Sequence, residues 1–164
     1  MKKLTLIRHA KSSWDNPSLD DFGRPLNKRG IRDLPAMAQR VRDSGLVPDR
    51  LLTSGAVRAL TTAEALVVSL ELNSDQVLVQ PELYAASHQS LLRHLQLQDD
   101  HWHHLMVVGH NPGLENLGYY LTHERLPKFP TAAVLHICLK IPHWCELAES
   151  SGTVELFDYP KLHR

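Results

Sequence analysis

The chain has 164 residues, a length that suits one compact domain covering residues 1–164. Lys and Arg total 18, as do Asp and Glu, so the molecule as a whole has no basic excess to attract nucleic acid or an anionic membrane. The first apolar stretch, residues 4–7, is far too short for a signal peptide or a membrane span, and we therefore expect a cytoplasmic protein.

The first elements of the chain are a strand and a helix. A short apolar run of strand type covers residues 4–7. Asn27 can then cap a helix that continues through about Asp43. Pro35 lies inside this helix and is expected to kink or shorten it, because proline lacks the backbone N–H that the helix needs.

The rest of the chain continues this alternation. A strand at residues 51–52 precedes a helix that begins near Ala56, where apolar residues recur at three- and four-residue spacing. Further strands are predicted at residues 77–79, 105–108, 134–139 and, more weakly, 154–157, and further helices at residues 89–97 and 114–121. Several strands are continuous apolar runs, which suit a sheet covered on both faces. The pattern predicts an α/β fold, a three-layer α/β/α sandwich with a mainly parallel central sheet.

Polar residues follow three of the predicted strands directly. Arg8 and His9 follow the first, Ser54 follows the strand at residues 51–52, and His110 and Asn111 follow the strand at residues 105–108. Ligands of open α/β sheets bind at the carboxyl ends of the strands. If these strands are parallel, the polar residues lie together at one edge of the sheet.

Two histidines with nearby arginines suit phosphoryl transfer. A neutral imidazole at His9 can attack phosphorus, while Arg8 and Arg58 offer planar charged forks for the phosphoryl oxygens. Arg58 lies in the first turn of its predicted helix, where free N–H groups favour an anion, although a solvated helix arginine is an equal alternative. Ser54 could add a hydroxyl donor, and a bound phosphate should favour the protonated form of His110.

The motifs of the chain resemble those of the histidine phosphatase superfamily, which has a phosphoglycerate mutase-like fold, and specifically its short, SixA-type branch. The motifs that carry the resemblance are Leu6-Ile7-Arg8-His9-Ala10-Lys11-Ser12, Arg24-Pro25-Leu26-Asn27 with Arg29-Gly30, Thr53-Ser54-Gly55-Ala56-Val57-Arg58-Ala59 followed by Thr62-Ala63-Glu64, Glu82-Leu83-Tyr84, Val107-Val108-Gly109-His110-Asn111-Pro112, and Phe129-Pro130-Thr131-Ala132-Ala133. They occur in the same order as in the family and span most of the chain. Ala10 stands where the superfamily commonly has glycine, as is typical of the short branch, and Gly55 stands where proline is frequent.

The resemblance implies roles for the residues that match these motifs. His9 is then the nucleophile, Arg8 and Arg58 bind phosphate, and His110 stabilises the transferring group. Ser54, Asn111 and Lys11 are further candidates for binding the substrate, and Lys11 is as readily a surface lysine.

The proton donor is the open role. Glu82 stands where many superfamily members place an acid, whereas the short branch is thought to work without one. A phosphohistidine protonated on its far ring nitrogen leaves as neutral imidazole, but an alkyl phosphate gains much from a general acid. Glu82 is therefore either the proton donor or a structural or substrate-facing carboxylate.

Other reactive side chains favour simpler interpretations. His101, His103 and His104 match no standard zinc spacing, so we expect them in a solvated loop and predict neither a metal nor any other cofactor. Neither Cys138 nor Cys145 is followed by Arg six positions later, which disfavours a cysteine-dependent phosphatase.

The sequence therefore predicts a metal-independent phosphatase that forms a covalent phosphohistidine on His9 and releases inorganic phosphate. The preferred substrate is phosphohistidine in a protein, such as a histidine phosphotransfer domain, because the chain has little room for the inserted lid that encloses small substrates in larger relatives. The same mechanism acting on a small phosphoester or on phosphorylated Ser or Thr is an alternative. A phosphate- or phosphohistidine-binding module without turnover is another, although binding alone would not require the nucleophile.

Overall fold

Strands and helices alternate through most of the chain, as the apolar patterns predicted. The computed structural model describes all residues, 1–164. Its elements are β1 (Lys2–Arg8), α1 (Lys28–Asp43), β2 (Arg50–Thr53), α2 (Val57–Leu70), β3 (Val77–Val79), α3 (His88–Gln96), β4 (His104–Gly109), α4 (Gly113–Thr122), β5 (Val134–Leu139) and β6 (Gly152–Asp158). No helix has both the length and the apolar character needed to cross a membrane.

The six strands form one sheet in the order β3-β2-β4-β1-β5-β6. β1 and β4 pair in parallel, as do β2 and β4 and β2 and β3, whereas β5 runs antiparallel to both of its neighbours. All strands except β5 thus point the same way, which confirms the mainly parallel sheet. In the register, Arg8 lies opposite Gly109 and Thr53 opposite Val108, so β1, β2 and β4 end level with one another.

Two separate apolar cores cover the two faces of the sheet. Leu4 and Leu6 of β1 pack in the core that also contains the buried leucines of α3 and α4. Ile7, on the opposite face of the same strand, packs in the core formed with α1 and α2. Successive side chains of a strand point to opposite faces, so this partition confirms the three-layer α/β/α sandwich.

Helix α1 begins as predicted but is not shortened by its proline. The Asn27 side chain accepts a hydrogen bond from the Gly30 N–H at 2.9 Å, and the helix then continues through Pro35 to Asp43. The expectation of shortening at Pro35 is therefore wrong. The apolar side of the helix remains buried on the sheet beyond the proline, at Met37, Ala38 and Val41, and this packing offsets the loss of one backbone hydrogen bond.

His104 does not belong to a solvated loop, contrary to the sequence-based expectation. It begins β4, its side chain is buried, and its Nε2 lies 2.7 Å from the Thr5 hydroxyl. The same hydroxyl lies 2.8 Å from Nδ1 of His136 on β5, so Thr5 joins two buried imidazoles. His101 and His103 are exposed. The loop pattern failed at His104 because pairing with β1 extends β4 by one residue beyond its apolar run.

Candidate active site

His9 lies immediately beyond β1 and its side chain is only 6% exposed. Its Nδ1 is 2.7 Å from the Ala10 carbonyl oxygen, so Nδ1 carries the hydrogen and donates it. Nε2 therefore carries the lone pair. Burial lowers the pKa of His9 to about 3, and the nearby charges of His110, Arg58 and Arg8 act in the same direction. The imidazole is neutral at neutral pH, which is the form a nucleophile needs.

Arg58 lies beside His9 in the first turn of α2, and it is buried, at 5% exposure. The sequence-based alternative of a solvated helix arginine is therefore wrong. Its Nε is 3.3 Å from Nε2 of His9, and its Nη2 is 3.5 Å from Nδ1 of His110. One edge of the guanidinium thus faces both histidines. A phosphoryl group between the two imidazoles would meet two parallel N–H donors of Arg58.

The opposite side of Arg58 is held by Asp21, which the sequence analysis did not identify. Nη1 donates to the Asp21 carbonyl oxygen at 2.5 Å, and Nη2 donates to its carboxylate at 2.9 Å. The Tyr84 hydroxyl donates to the same carboxylate at 2.5 Å, and Arg24 also binds it. These hydrogen bonds, led by that of Tyr84, hold the pKa of Asp21 well below its usual range. Asp21 therefore stays ionised and orients the guanidinium.

His110 lies beyond β4, with its imidazole close to that of His9. The two ring centroids are 5.1 Å apart. Nε2 of His110 lies 2.8 Å from the Ser54 hydroxyl, and burial together with the charge of Arg58 lowers the pKa of His110 to about 4. His110 is thus neutral in the protein alone at neutral pH, and the protonated form expected from the sequence requires a bound anion to favour it. Ser54 is fully buried and orients His110.

Arg8 and Asn111 are both connected to the loop before β5. Nη1 of Arg8 donates to the Phe129 carbonyl at 2.9 Å, whereas its Nε is buried without a hydrogen-bond partner. The Asn111 amide donates to the same carbonyl at 3.0 Å and also to Glu115 at 3.2 Å. Asn111 therefore links α4 to the loop before β5, while Nε of Arg8 has no acceptor.

A cavity of about 340 Å³ joins these groups. The residues that line it are Arg8, His9, Lys11, Ser12, Trp14, Asp21, Arg24, Arg58, Ala85, His110, Asn111 and Thr131. Four of them are Lys or Arg and one is acidic, so the lining favours an anion. The predicted residues His9, Arg8, Arg58, His110, Asn111 and Lys11 all reach this cavity, whereas Ser54 lies behind it.

Glu82 is not among the residues that line the cavity. It lies in a short 3-10 helix, Pro81–Leu83, with an exposed side chain. Its role as proton donor stays a prediction, without support from its position. The acidic group at the cavity is Asp21, whose only sequence signal was its place three residues before Arg24 in a loop rich in Asp, Asn and Ser.

No group of three or more His, Cys, Asp or Glu side chains is arranged to hold a metal ion. The ring nitrogens of His9 and His110 instead contact a backbone carbonyl, a guanidinium and a hydroxyl. The cationic groups of the site belong to the protein itself.

Comparison with known proteins agrees with this geometry. A family model described as histidine phosphatase superfamily (branch 1) matches residues 4–84. The structure of the putative phosphohistidine phosphatase SixA from Agrobacterium tumefaciens superposes with a TM-score of 0.83 at 25% identity, covering 97% of this chain and 98% of that one. A protein histidine phosphatase SixA, solved with tungstate, gives a TM-score of 0.82 at 26% identity and 99% coverage of both chains.

The sequence relatives are covered to different extents by this chain. A chloroplastic protein of Arabidopsis thaliana is 33% identical over 129 residues, which are 74% of this chain and 59% of that protein. The chain therefore spans less than two thirds of the plant relative. A Mycobacterium tuberculosis protein is 28% identical over 167 aligned positions, which cover 94% of this chain and the whole of that protein.

Proposed function

Because the chain belongs to the histidine phosphatase superfamily, we propose that it hydrolyses protein phosphohistidine through a covalent phosphoryl group on Nε2 of His9. The observation that carries this proposal is the contact between His9 and Arg58. His9 is neutral with its hydrogen on Nδ1, and its Nε2 lies 3.3 Å from Nε of Arg58. A pure binding site would need the cations but not the nucleophile.

The reaction proceeds in two displacements at phosphorus. Nε2 of His9 attacks, the bond from phosphorus to the substrate nitrogen breaks, and the electron pair of that bond returns to the substrate. A substrate imidazole protonated on its far nitrogen then leaves neutral, so this step needs no dedicated acid. Water next attacks the phosphoryl group on His9, the Nε2–phosphorus bond breaks, and inorganic phosphate leaves with the proton that water loses.

The other residues of the cavity stabilise charge during both displacements. The Nε–Nη2 edge of Arg58 and the free Nε of Arg8 bind phosphoryl oxygens, and Asp21 keeps the Arg58 edge directed at the histidines. His110 becomes protonated next to the bound phosphoryl group and donates to it. Asn111 and Ser54 position the groups that contact the substrate.

Phosphohistidine is the preferred substrate because it matches the chemistry available in the cavity. The one acidic group there, Asp21, is held ionised and is not a proton donor at neutral pH. An alkyl phosphate would find no protonated carboxylic acid in the cavity to assist the departure of its oxygen. The similar SixA structures are described as phosphohistidine or protein histidine phosphatases, which supports the same assignment here.

We also propose that residues 1–164 act as a single domain, without a metal ion and in the cytoplasm. Arg8, Arg58 and a protonated His110 supply the positive charge that a metal ion would otherwise provide.

The deciding experiment compares substrates for the purified protein. Phosphate release from a phosphorylated histidine phosphotransfer domain should exceed, in kcat/KM, release from a panel of small phosphoesters and from a phosphoserine peptide. The His9→Ala variant is the matched control for spontaneous hydrolysis. Esters hydrolysed orders of magnitude faster than the phosphorylated domain would overturn the substrate assignment, and binding of the domain without release would indicate a module that only binds.

A further inference from the structure

A second, strongly basic groove adjoins the catalytic cavity. It encloses about 280 Å³ and shares Arg8, Lys11 and Thr131 with that cavity, so the two are continuous. Arg29, Lys128 and Lys161 add three more positive charges, and no acidic residue lines the groove. Since the whole chain has zero net charge, this concentration of five cations in one groove is a local feature.

The three lysines of the groove form no ion pair, and each of its two arginines keeps a donor without a hydrogen-bond partner. Lys11, Lys128 and Lys161 are exposed and belong to no ion pair or side-chain hydrogen bond. Arg29 lies 4.0 Å from Asp33, but its Nε has no hydrogen-bond partner, and neither does Nε of Arg8. The groove thus carries positive charge that no acidic residue in its lining neutralises, which favours an anion there.

Two acidic side chains, Asp33 and Asp158, make their shortest contacts with side chains outside the groove. Asp33 accepts from Arg164 at 2.8 Å, and Asp158 binds Arg40 at 2.8 Å and His163 at 2.6 Å. Among the groove cations, Arg29 forms an ion pair, with Asp33 at 4.0 Å. At the rim, Nζ of Lys128 lies 4.8 Å from the ring centroid of Tyr159, which helps to hold the lysine in place.

Four separate segments build the groove. They are the loop after β1, the first turn of α1, the segment before β5, and the C-terminal 3-10 helix Pro160–His163. An anionic group in it would lie next to the phosphoryl group at His9, because Arg8 and Lys11 border both spaces.

We propose that this groove is a second anion subsite, which binds a side-chain carboxylate of the protein segment that carries the phosphohistidine. The inference rests on the proposed function and adds to it a preference for phosphohistidines with acidic neighbours. Flexible lysines suit carboxylates that approach from several directions, and charge complementarity of this kind governs selection and association rate.

The test uses two phosphohistidine peptides of equal length, one with Asp and Glu around the phosphohistidine and one with Asn and Gln at those positions. The unmodified protein should prefer the acidic peptide by about tenfold in kcat/KM at low salt, and less at high salt, because surface charges are screened. Changing Lys128→Glu and Lys161→Glu together should bring this ratio close to one. Lys3→Glu with Lys140→Glu is the control with the same change in net charge and should keep the preference. Lys3 lies near the start of β1 and Lys140 follows the antiparallel strand β5, so both are at the opposite edge of the sheet.

Equal rates on the two peptides, or an unchanged ratio in the double variant, would overturn the subsite. A clear preference for a small bisphosphorylated compound over both peptides would overturn the assignment to a protein segment.

A readout that does not depend on turnover separates this proposal from the proposed function. An unphosphorylated acidic peptide added to the isotope-labelled protein should shift the backbone amide NMR signals of the non-proline residues Lys128, Phe129, Thr131, Tyr159 and Lys161, and the double variant should lose these shifts. If no phosphohistidine substrate is hydrolysed but these shifts occur, the proposed function fails and the anion subsite stands. If phosphohistidine is hydrolysed without these shifts and without a preference for the acidic peptide, the proposed function stands and the anion subsite fails.

Discussion

At His9, a single backbone contact determines which ring nitrogen carries the hydrogen. The Ala10 carbonyl accepts from Nδ1 at 2.7 Å and leaves Nε2 facing Arg58. His9→Ala should abolish turnover in a protein that still folds. Brief incubation of the unmodified protein with labelled substrate, followed by alkaline denaturation, should trap phosphate on His9. His101→Ala, at an exposed histidine, is the control and should remain active. Normal turnover in His9→Ala would remove the nucleophile assignment.

Arg58 tests whether geometry or charge matters at the site. Lysine keeps the charge but cannot present the two parallel donors of the Nε–Nη2 edge, so Arg58→Lys should lower kcat by roughly a hundredfold to a thousandfold. Inhibition by vanadate should weaken in parallel. Because Arg58 is buried and bound to Asp21, we also expect a lower free energy of unfolding, measured with urea. Arg93→Lys, on the exposed face of α3, is the control. A variant with near-normal turnover and vanadate inhibition would contradict this role.

In the proposed reaction, side chains rather than a metal ion stabilise the phosphoryl group. Arg8, Arg58 and a protonated His110 supply the positive charge in the proposed reaction, so EDTA should leave phosphate release unchanged. The measurement is the rate before and after chelator treatment, with dialysis into metal-free buffer. Loss of activity that Zn²⁺ or Mg²⁺ restores would contradict the proposal.

At the level of elements, the loop after β1 and the start of α1 approach each other unusually closely. A Cβ on Gly30 would lie 2.2 Å from the Lys11 carbonyl oxygen, a backbone atom that cannot rotate away. Replacing glycine by alanine within a helix ordinarily stabilises it by about 1 kcal/mol. At Gly30 the sign should reverse, because the collision displaces the loop that carries His9.

We therefore expect Gly30→Ala to lower the free energy of unfolding by roughly 1–3 kcal/mol, as overpacking does, and to reduce kcat. Urea denaturation and phosphate release measure the two effects. Arg32→Ala, at an exposed position of the same helix, should change neither by much. A Gly30→Ala protein more stable than the unmodified one would show that the loop can move away without cost.

At the scale of the whole molecule, buried histidines link stability to pH. The pKa of His9 lies at about 3 and those of His104 and His110 at about 4, all lowered first by burial. In the unfolded chain the pKa of histidine is about 6.5. Between that pH and pH 4 the unfolded state therefore binds more protons than the folded state. The contribution of these histidines to the free energy of unfolding should therefore reach its full value above about pH 6.5 and fall as the pH drops towards 4.

His104 isolates part of this effect away from the catalytic cavity. His104→Asn should reduce the pH dependence of unfolding free energy by at most about 1.4 kcal/mol per pH unit within that window. Urea denaturation at pH 7, 6, 5 and 4 measures the slope, and His101→Asn, at an exposed histidine, should leave it unchanged. Equal slopes in the two variants would show that His104 is not linked to folding.

The sequence by itself determined the elements and the residues that follow them. Strand and helix periods depend on local apolar patterns, so β1, β2 and β4 could be placed, and parallel pairing then brings His9, Ser54 and His110 together. The place of Arg58 at the start of α2 made it a candidate, with a solvated helix arginine as an equal alternative, and the resemblance to the family assigned it to phosphate. At Pro35 the local rule predicted a kink or a shortened helix, but α1 continues to Asp43 because the residues after the proline are buried on the sheet.

Only the tertiary structure decided the contacts between distant segments. Asp21 lies 37 residues before Arg58 and 63 before Tyr84, and no local pattern marks a carboxylate that will meet both. The pairing of Thr5 with His104 and His136, 99 and 131 residues away, likewise depends on strand order. The basic groove depends on four segments meeting. A neutral total charge concealed it, because net charge is a sum over the chain whereas the local field depends on where the charges lie in space.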